Sequence, residues 1–376
     1  MHIKPFRASH PLFDRIPSPD AFCSDAKNAF LDYQRDNLLE RSEKAALYIY
    51  QIEHHHHLHT GIVALNDVRD FFTGHIKKHE KTLRAREQRQ MELILRWGAI
   101  LKPVLLTFPP VPELNTWLAA FTASNQPLFE TYFRKEGQTQ RLWAIDDPTD
   151  ITQVQHLFEE TVHDVYIADG HHRTSTVALL NKEHKAEYPK LDFDHLFCAF
   201  FPTDQLDILD YNRVVEGLNN LSPEQFFTRL AAVATIEFIE YPRKPRKKHE
   251  LKLHFREHWY RLSWRPEVLA AFRPGSRALP ALLDVSLLNE LVLQNILGIR
   301  DFRTSSRISY VEGTKGLQGI RKAVGDAQDR LGFVLHPILF EDMMQIADAG
   351  KVLPPKSTYF EPRMKSGLII KMLAKE

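Results

Sequence analysis

The sequence predicts an α+β fold, on three observations. Strand-like and helix-like stretches alternate without the regular strand–helix rhythm of a parallel doubly wound sheet. Two strand-like runs, "ALYIYQIE" (46–53) and "TGIVALND" (60–67), follow one another with no helix between them. The composition, 43% hydrophobic and 26% charged over 376 residues, suits a folded chain with one large domain or two ordinary ones.

Taken in order, those two runs flank "HHHHLH" at 54–59, which reads as a hairpin tip. Incidental affinity for transition metals is the expectation there, not a built site. Met91, Ile94, Leu95 and Gly98 recur at helical spacing and predict a helix from about 80 to 100. Trp117, Ala120 and Phe121 predict another. "QRLWAIDD" reads as a strand, and Asp147-Pro148-Thr149-Asp150 as the turn that starts a helix bearing Ile151, Val154, Phe158 and Val162. "DVYIAD", "HLFCAFFP" and "LDILDYNRVV" are further strands. Beyond them, "TIEFIEY" and "ELKLHFREHWYRLSW" predict a hairpin, with a helix near 285–297. A boundary falls near 200–215, which gives domains of 1–205 and 206–376.

Bulk properties exclude several classes. A net charge of +1 advertises no affinity for nucleic acid or an anionic membrane. Runs such as "LYIYQI" and "GLIIKML" are too short to span a bilayer. "MHIKPFRASHP" lacks the apolar core of a signal peptide. Cys23 and Cys198 are the two cysteines, too few for a disulfide scaffold or a cysteine zinc cluster. The expected compartment is the cytoplasm.

The densest chemistry lies in "VYIADGHHRTSTVALLNKE" (165–183). A strand ending in Asp-Gly before an amphipathic run is strand–turn–helix. Gly170 permits a tight turn, and the unpartnered amides of the following first turn can point at an anion. Arg173 can add bidentate bonds to phosphate. His171 and His172 can donate to phosphate or accept a proton, and Asp169 can assist Mg²⁺ or orient a hydroxyl. Spacing alone leaves a second reading standing, in which Asp169 caps the helix and the histidines pack. Adjacent histidines on a helix point about 100° apart, which disfavours a shared metal ion. No Walker loop occurs.

"YIADGHHRTSTVAL" resembles the signature of the domain-of-unknown-function ten-fifteen family. "IKPFRA" (3–8), "IKKHEKT" (76–82), "DYNRVV" (210–215), "LDVSLLNELVLQNILGI" (283–299) and "ADAGKVLPPKSTYFEPRMKSGLII" (347–370) extend the resemblance over nearly the whole chain. The Gly-x-His-Arg segment is in turn similar to the helix start of the ParB/sulfiredoxin superfamily. Its members bind nucleotide phosphates at this turn and include kinases of free L-serine. The resemblance implies a mixed-sheet ParB/sulfiredoxin-like first domain, in which Gly170, His171, His172, Arg173 and Thr174 hold a nucleotide. The sulfiredoxin nucleophile would fall at His171, which argues against sulfinic-acid repair. Where relatives carry a Pro-Tyr-Asp-like loop, this chain has "RIPSPDAFCSD", and Pro19-Asp20 is a loose counterpart.

"HIKKHEKTLRAREQR" places His75 and His79 on one face if helical, where they could bind zinc with a third ligand. The zincin pattern is absent. Glu80 instead suits a base for a substrate hydroxyl, with His79 beside it. The bland alternative is a solvated helix start. "LPPKSTYFEPR" offers Lys356, Ser357 and Thr358 on a proline-stiffened loop suited to phosphate or carboxylate. "PRKPRKKHE" (242–250) carries five basic residues but reads as a solvated hairpin turn. "EGTKGLQGIRK" reads as a turn and a helix start.

Together these readings give a phosphotransferase using ATP or ADP with Mg²⁺ on a small hydroxylated metabolite such as L-serine. Glu80, Asp169 and His172 take catalytic roles, and His79, Lys356, Ser357 and Thr358 bind the acceptor. No resident metal site, membrane or nucleic-acid partner is expected. The alternatives are a nucleotide-dependent, DNA-associated or regulatory protein of the ParB kind, which would need clustered basic residues, and a non-catalytic family member.

Overall fold

The hairpin Leu47–His54 and His57–Asp67 stands inside a nine-stranded sheet. Leu47 to Ile52 are all buried, so this strand is covered on both faces and is apolar apart from Gln51. The computed structural model describes residues 1–54, 57–272 and 279–375. The tip of the histidine tract, residues 55 and 56, lies outside them. The described chain divides into two units, Met1–Asp207 with Pro362–Glu376, and Ile208–Glu361.

In the first unit the sheet runs Ile76–Lys77, Val165–Asp169, Val104–Phe108, His195–Pro202, His57–Asp67, Leu47–His54, Gln138–Ile145, Phe129–Phe133. Ile3–Lys4 pairs with His57–Asp67 off this path. The sheet is mixed: Val165–Asp169 lies parallel to Ile76–Lys77, and His195–Pro202 parallel to Val104–Phe108, while the other pairs are antiparallel. A smaller sheet joins Leu39–Arg41, Ala8–Pro11, Ile370–Met372 and Ala99–Ile100, so the last residues of the chain complete the first unit.

The helices start where local chemistry dictates. Asp147 accepts from the amides of Thr149 (2.8 Å) and Asp150 (3.3 Å) and begins Pro148–Thr161, which buries Val154 and Phe158. The helix expected from residue 80 begins at Arg84 and ends at Trp97, with Gly98 left-handed behind it. The helix at Pro112–Ser124 buries Leu114 and Leu118 rather than the aromatic face that signalled it. Residues 78–83 are irregular, so His75 and His79 share no helical face. His75 is exposed and bonds Asp164 at 2.8 Å.

The second unit holds a six-stranded antiparallel sheet in the order Ala234–Ile239, His258–Trp264, Glu250–Phe255, Arg330–Val334, Tyr211–Glu216, Ile308–Glu312. Helix Gly316–Val324 packs Ile320 and Val324 on it, against Val214, Trp259 and Val334. The expected hairpin is corrected here. Glu250–Phe255 and His258–Trp264 form a hairpin of their own, and Ala234–Ile239 pairs with the second of them. The basic segment 242–250 is therefore a crossover. Two of its lysines are engaged: Lys244 with Asp210 (2.6 Å) and Lys248 with Asp342 (2.8 Å). The helix near 285–297 is Asp284–Leu287 continued by a wider π-helical segment, Leu288–Gln294.

Gly61 marks the tightest approach in the central sheet. A Cβ there would lie 2.5 Å from Phe201 Cδ2 and 2.6 Å from the Phe200 carbonyl. Gly61→Ala is expected to cost about 1–3 kcal/mol through overpacking. It should lower the urea midpoint, and an unchanged midpoint would contradict this packing.

Candidate functional site

Strand Val165–Asp169 ends at Gly170, whose φ of +106° lies in the region that favours glycine. Helix His171–Leu179 follows directly, with Gly170 as its cap residue. Asp169 does not cap the helix. Its Oδ2 accepts from Arg173 Nη2 at 2.8 Å and lies 3.4 Å from Lys102 Nζ. The guanidinium folds back across the turn, where a Cβ on residue 170 would come within 2.8 Å of Nη2. Nη2 also reaches the Pro103 carbonyl at 3.2 Å, and the buried Nε has no hydrogen-bond partner.

Two cations flank the Asp169 carboxylate at this turn. Burial would raise the Asp169 carboxyl, but Arg173 and Lys102, with a further contribution from Arg363, hold it well below the usual carboxylate range. Burial lowers the Lys102 ammonium to about 8; Asp169 opposes the fall, while Arg173 and Arg363 add to it. Three cationic groups therefore act on one carboxylate.

The irregular segment 78–83 docks on the same helix start. The His79 amide donates to His171 Nε2 (3.4 Å), and the Leu83 amide donates to His172 Nε2 (3.2 Å). Each accepting nitrogen is thereby left without a proton, so the neutral rings carry theirs on Nδ1. His171 Nδ1 faces Glu80 Oε2 at 3.6 Å. The His79 ring is fully buried and stands edge-on to His171, with centroids 4.5 Å apart. Thr174 is buried, and its hydroxyl donates to the Gly170 carbonyl at 3.2 Å. Helices Arg84–Trp97 and His171–Leu179 pack together and hold these parts in register.

Two stretches read separately in the sequence thus converge: His79 and Glu80 from one, Asp169 to Thr174 from the other. His79, Glu80 and His171 each offer an atom within 4.8 Å of the others, a spacing a divalent cation can span. A cation bound at His171 Nδ1 would first have to displace the proton that the His79 amide bond places there.

Lys356, Ser357 and Thr358 belong to the second unit. Lys356 has a φ of +56° and its ammonium stands over the Tyr211 ring at 5.1 Å. Ser357 Oγ donates to the Pro354 carbonyl at 2.6 Å. This loop is pinned by Arg213, a 2% exposed cation whose Nη2 donates to the carbonyls of Pro355 (3.3 Å) and Lys356 (3.0 Å). Sequence reasoning passed over Lys102 and Arg213, and read Arg363 only as a candidate ion-pair partner of Glu361 holding its loop. Lys102 had a signal, a lone cation in the apolar run "GAILKPVLLTF". For Arg213 the run "DYNRVV" was noticed, but not that its arginine points inward.

Burial lowers His79 to about 3. Burial, then His79, puts His171 well below its ordinary value, and burial with Arg86 lowers His172. A histidine in the unfolded chain titrates near 6.5. Below that pH the unfolded state binds more protons than the folded one. The stabilisation is therefore complete above about 6.5 and is lost as pH falls toward the folded values. A pH series of denaturation midpoints should decline on the acid side, with a shallower slope in His171→Gln than in the wild type. Parallel slopes would count against neutral, loop-docking histidines.

Among solved structures, the chain is similar to SbnI with a C-terminal truncation from Staphylococcus aureus. The identity is 11% over 81% of this chain and 85% of that one, with a TM-score of 0.42. It is similar to a free serine kinase in complex with AMP at 12% identity over 83% and 91%, with a TM-score of 0.40. A conserved hypothetical protein from Pyrococcus furiosus matches at 13% identity over 82% and 95%, with a TM-score of 0.36. No curated protein matches the chain. The model of a family described as "Protein of unknown function (DUF1015)" matches residues 12–286, and the chain belongs to that family.

Proposed function

We propose that the first unit is a phosphotransferase that binds a nucleotide, ATP or ADP with Mg²⁺, at the Gly170 turn. It passes the terminal phosphoryl group to a small hydroxyl compound, with L-serine among the acceptors. The observation that carries this reading is the pair of cations, Lys102 and Arg173, set on the single Asp169 carboxylate beside a helix N-terminus. One carboxylate balances one cation, and a bound anion would balance the second.

Glu80 Oε2 and His171 Nδ1 supply the acceptor side. At 3.6 Å they are too far apart to bond each other and close enough for one hydroxyl oxygen to reach both. In the reaction the acceptor oxygen forms a bond to phosphorus and the bond to the bridging oxygen breaks. The shortened nucleotide leaves, and the hydroxyl proton passes to Glu80. His171 Nδ1–H orients the oxygen, and His172 anchors the loop that carries Glu80. Mg²⁺ supplies charge neutralisation on the phosphates. Asp169, committed to Arg173 and Lys102, does not fit as its ligand and is a positioning residue.

The pairing of Arg173 with Asp169 favours a second reading, in which the turn is purely structural and binds no nucleotide. Incubation with ATP, ADP or CTP, Mg²⁺ and a panel of hydroxylated metabolites separates the two. A phosphorylated product that falls by about 10²–10⁴-fold in Glu80→Gln, with nucleotide binding kept, supports transfer. Loss of binding in Arg173→Ala supports the cradle. Neither binding nor product in the wild type would leave the structural reading. Because Lys102 sits at about 8, anion binding should raise it and draw a proton from solution near that pH. Calorimetry in buffers of different ionisation enthalpy should detect the uptake, and Lys102→Met should abolish it.

A further inference from the structure

Elsewhere in the first unit, a line of hydrogen bonds runs from the interior to the surface. Lys371, 3% exposed, donates from Nζ to Asp192 Oδ2 (2.8 Å) and to the His195 carbonyl (2.9 Å). Asp192 accepts from His195 Nδ1 at 3.0 and 3.1 Å through its two oxygens. His195 Nε2 meets Lys4 Nζ at 3.0 Å. The carboxylate is fixed from behind by a buried cation, so it holds the imidazole with the proton on Nδ1. The Nε2 lone pair is left facing the amine. This is the arrangement in which a histidine activates a nucleophile and a third group orients the histidine.

Lys4 is exposed and lines a surface cavity of mixed charge, whose other walls include His2, Asp67, Arg69, Asp70 and His75. A small acyl phosphate brings its own leaving group, so the site need supply only the activated amine and open space to approach it. We propose that Lys4 is a covalent acylation site, an amine activated by the Asp192–His195 pair toward small acyl phosphates. In the step, Lys4 Nζ bonds the carbonyl carbon and the carbon–oxygen bond to phosphate breaks. Inorganic phosphate departs with the electron pair, and the proton shed by Nζ goes to His195 Nε2. The product is an uncharged amide at position 4.

The test uses the full chain with acetyl phosphate near neutral pH, and peptide mass spectrometry to time each lysine. Lys44, an exposed lysine 3.5 Å from Asp146, is the internal reference. Lys4 should acetylate on the order of 10²-fold faster than Lys44, the scale of general-base assistance. His195→Gln should bring it down to the reference rate with Lys44 unchanged. Equal rates for Lys4 and Lys44 in the wild type would overturn the proposal without any variant. An unaltered Lys4 rate in folded His195→Gln would do so too.

Discussion

The arrangement of the candidate site rests on a glycine that lets an arginine lie down. With φ at +106° and no side chain at residue 170, the Arg173 guanidinium crosses the turn and reaches Asp169. A methyl group there would occupy the space of Nη2. That contact engages the Asp169 carboxylate, so it does not cap the helix, and Lys102 Nζ lies 3.4 Å from the same oxygen. A buried carboxylate with one partner is a structural ion pair. Asp169 instead sits between two cations, Arg173 at 2.8 Å and Lys102 at 3.4 Å.

The histidines of the turn work in a way their titration near neutral pH does not announce. Both rings accept backbone amides from the segment carrying Glu80, so they act first as neutral clamps. Burial holds them neutral, and neutrality preserves the bonds that bury them. That coupling presents Glu80 beside His171, with Oε2 3.6 Å from Nδ1.

The second unit shows the same economy with its family motifs. Arg213 of "DYNRVV" is an internal cation whose donors hold the carbonyls of the "PPKST" loop, so two stretches far apart in sequence form one construction. Lys244 and Lys248 of the basic run turn inward to Asp210 and Asp342, which removes two charges from what looked like a solvated patch. Arg213, Lys244 and Lys248 are cations whose charge says little about where they point until their partners are known.

The sequence by itself determined the α+β class, the strand–turn–helix at Asp169 to Arg173, the Asp147 cap and the family, because each is written in residues close together in the chain. Helix caps, turn glycines and apolar periods act over a few residues, and those were legible. Tertiary structure alone decided that "ELKLHFREHWYRLSW" is a hairpin in itself and that residues 78–83 are not helical. It also brought Pro362–Glu376 back to complete the first unit. It decided as well that Glu80 faces His171 and that Lys102 joins Asp169. Those are pairings between groups tens of residues or more apart. Their energies come from burial and charge in a shared environment that only the folded chain creates.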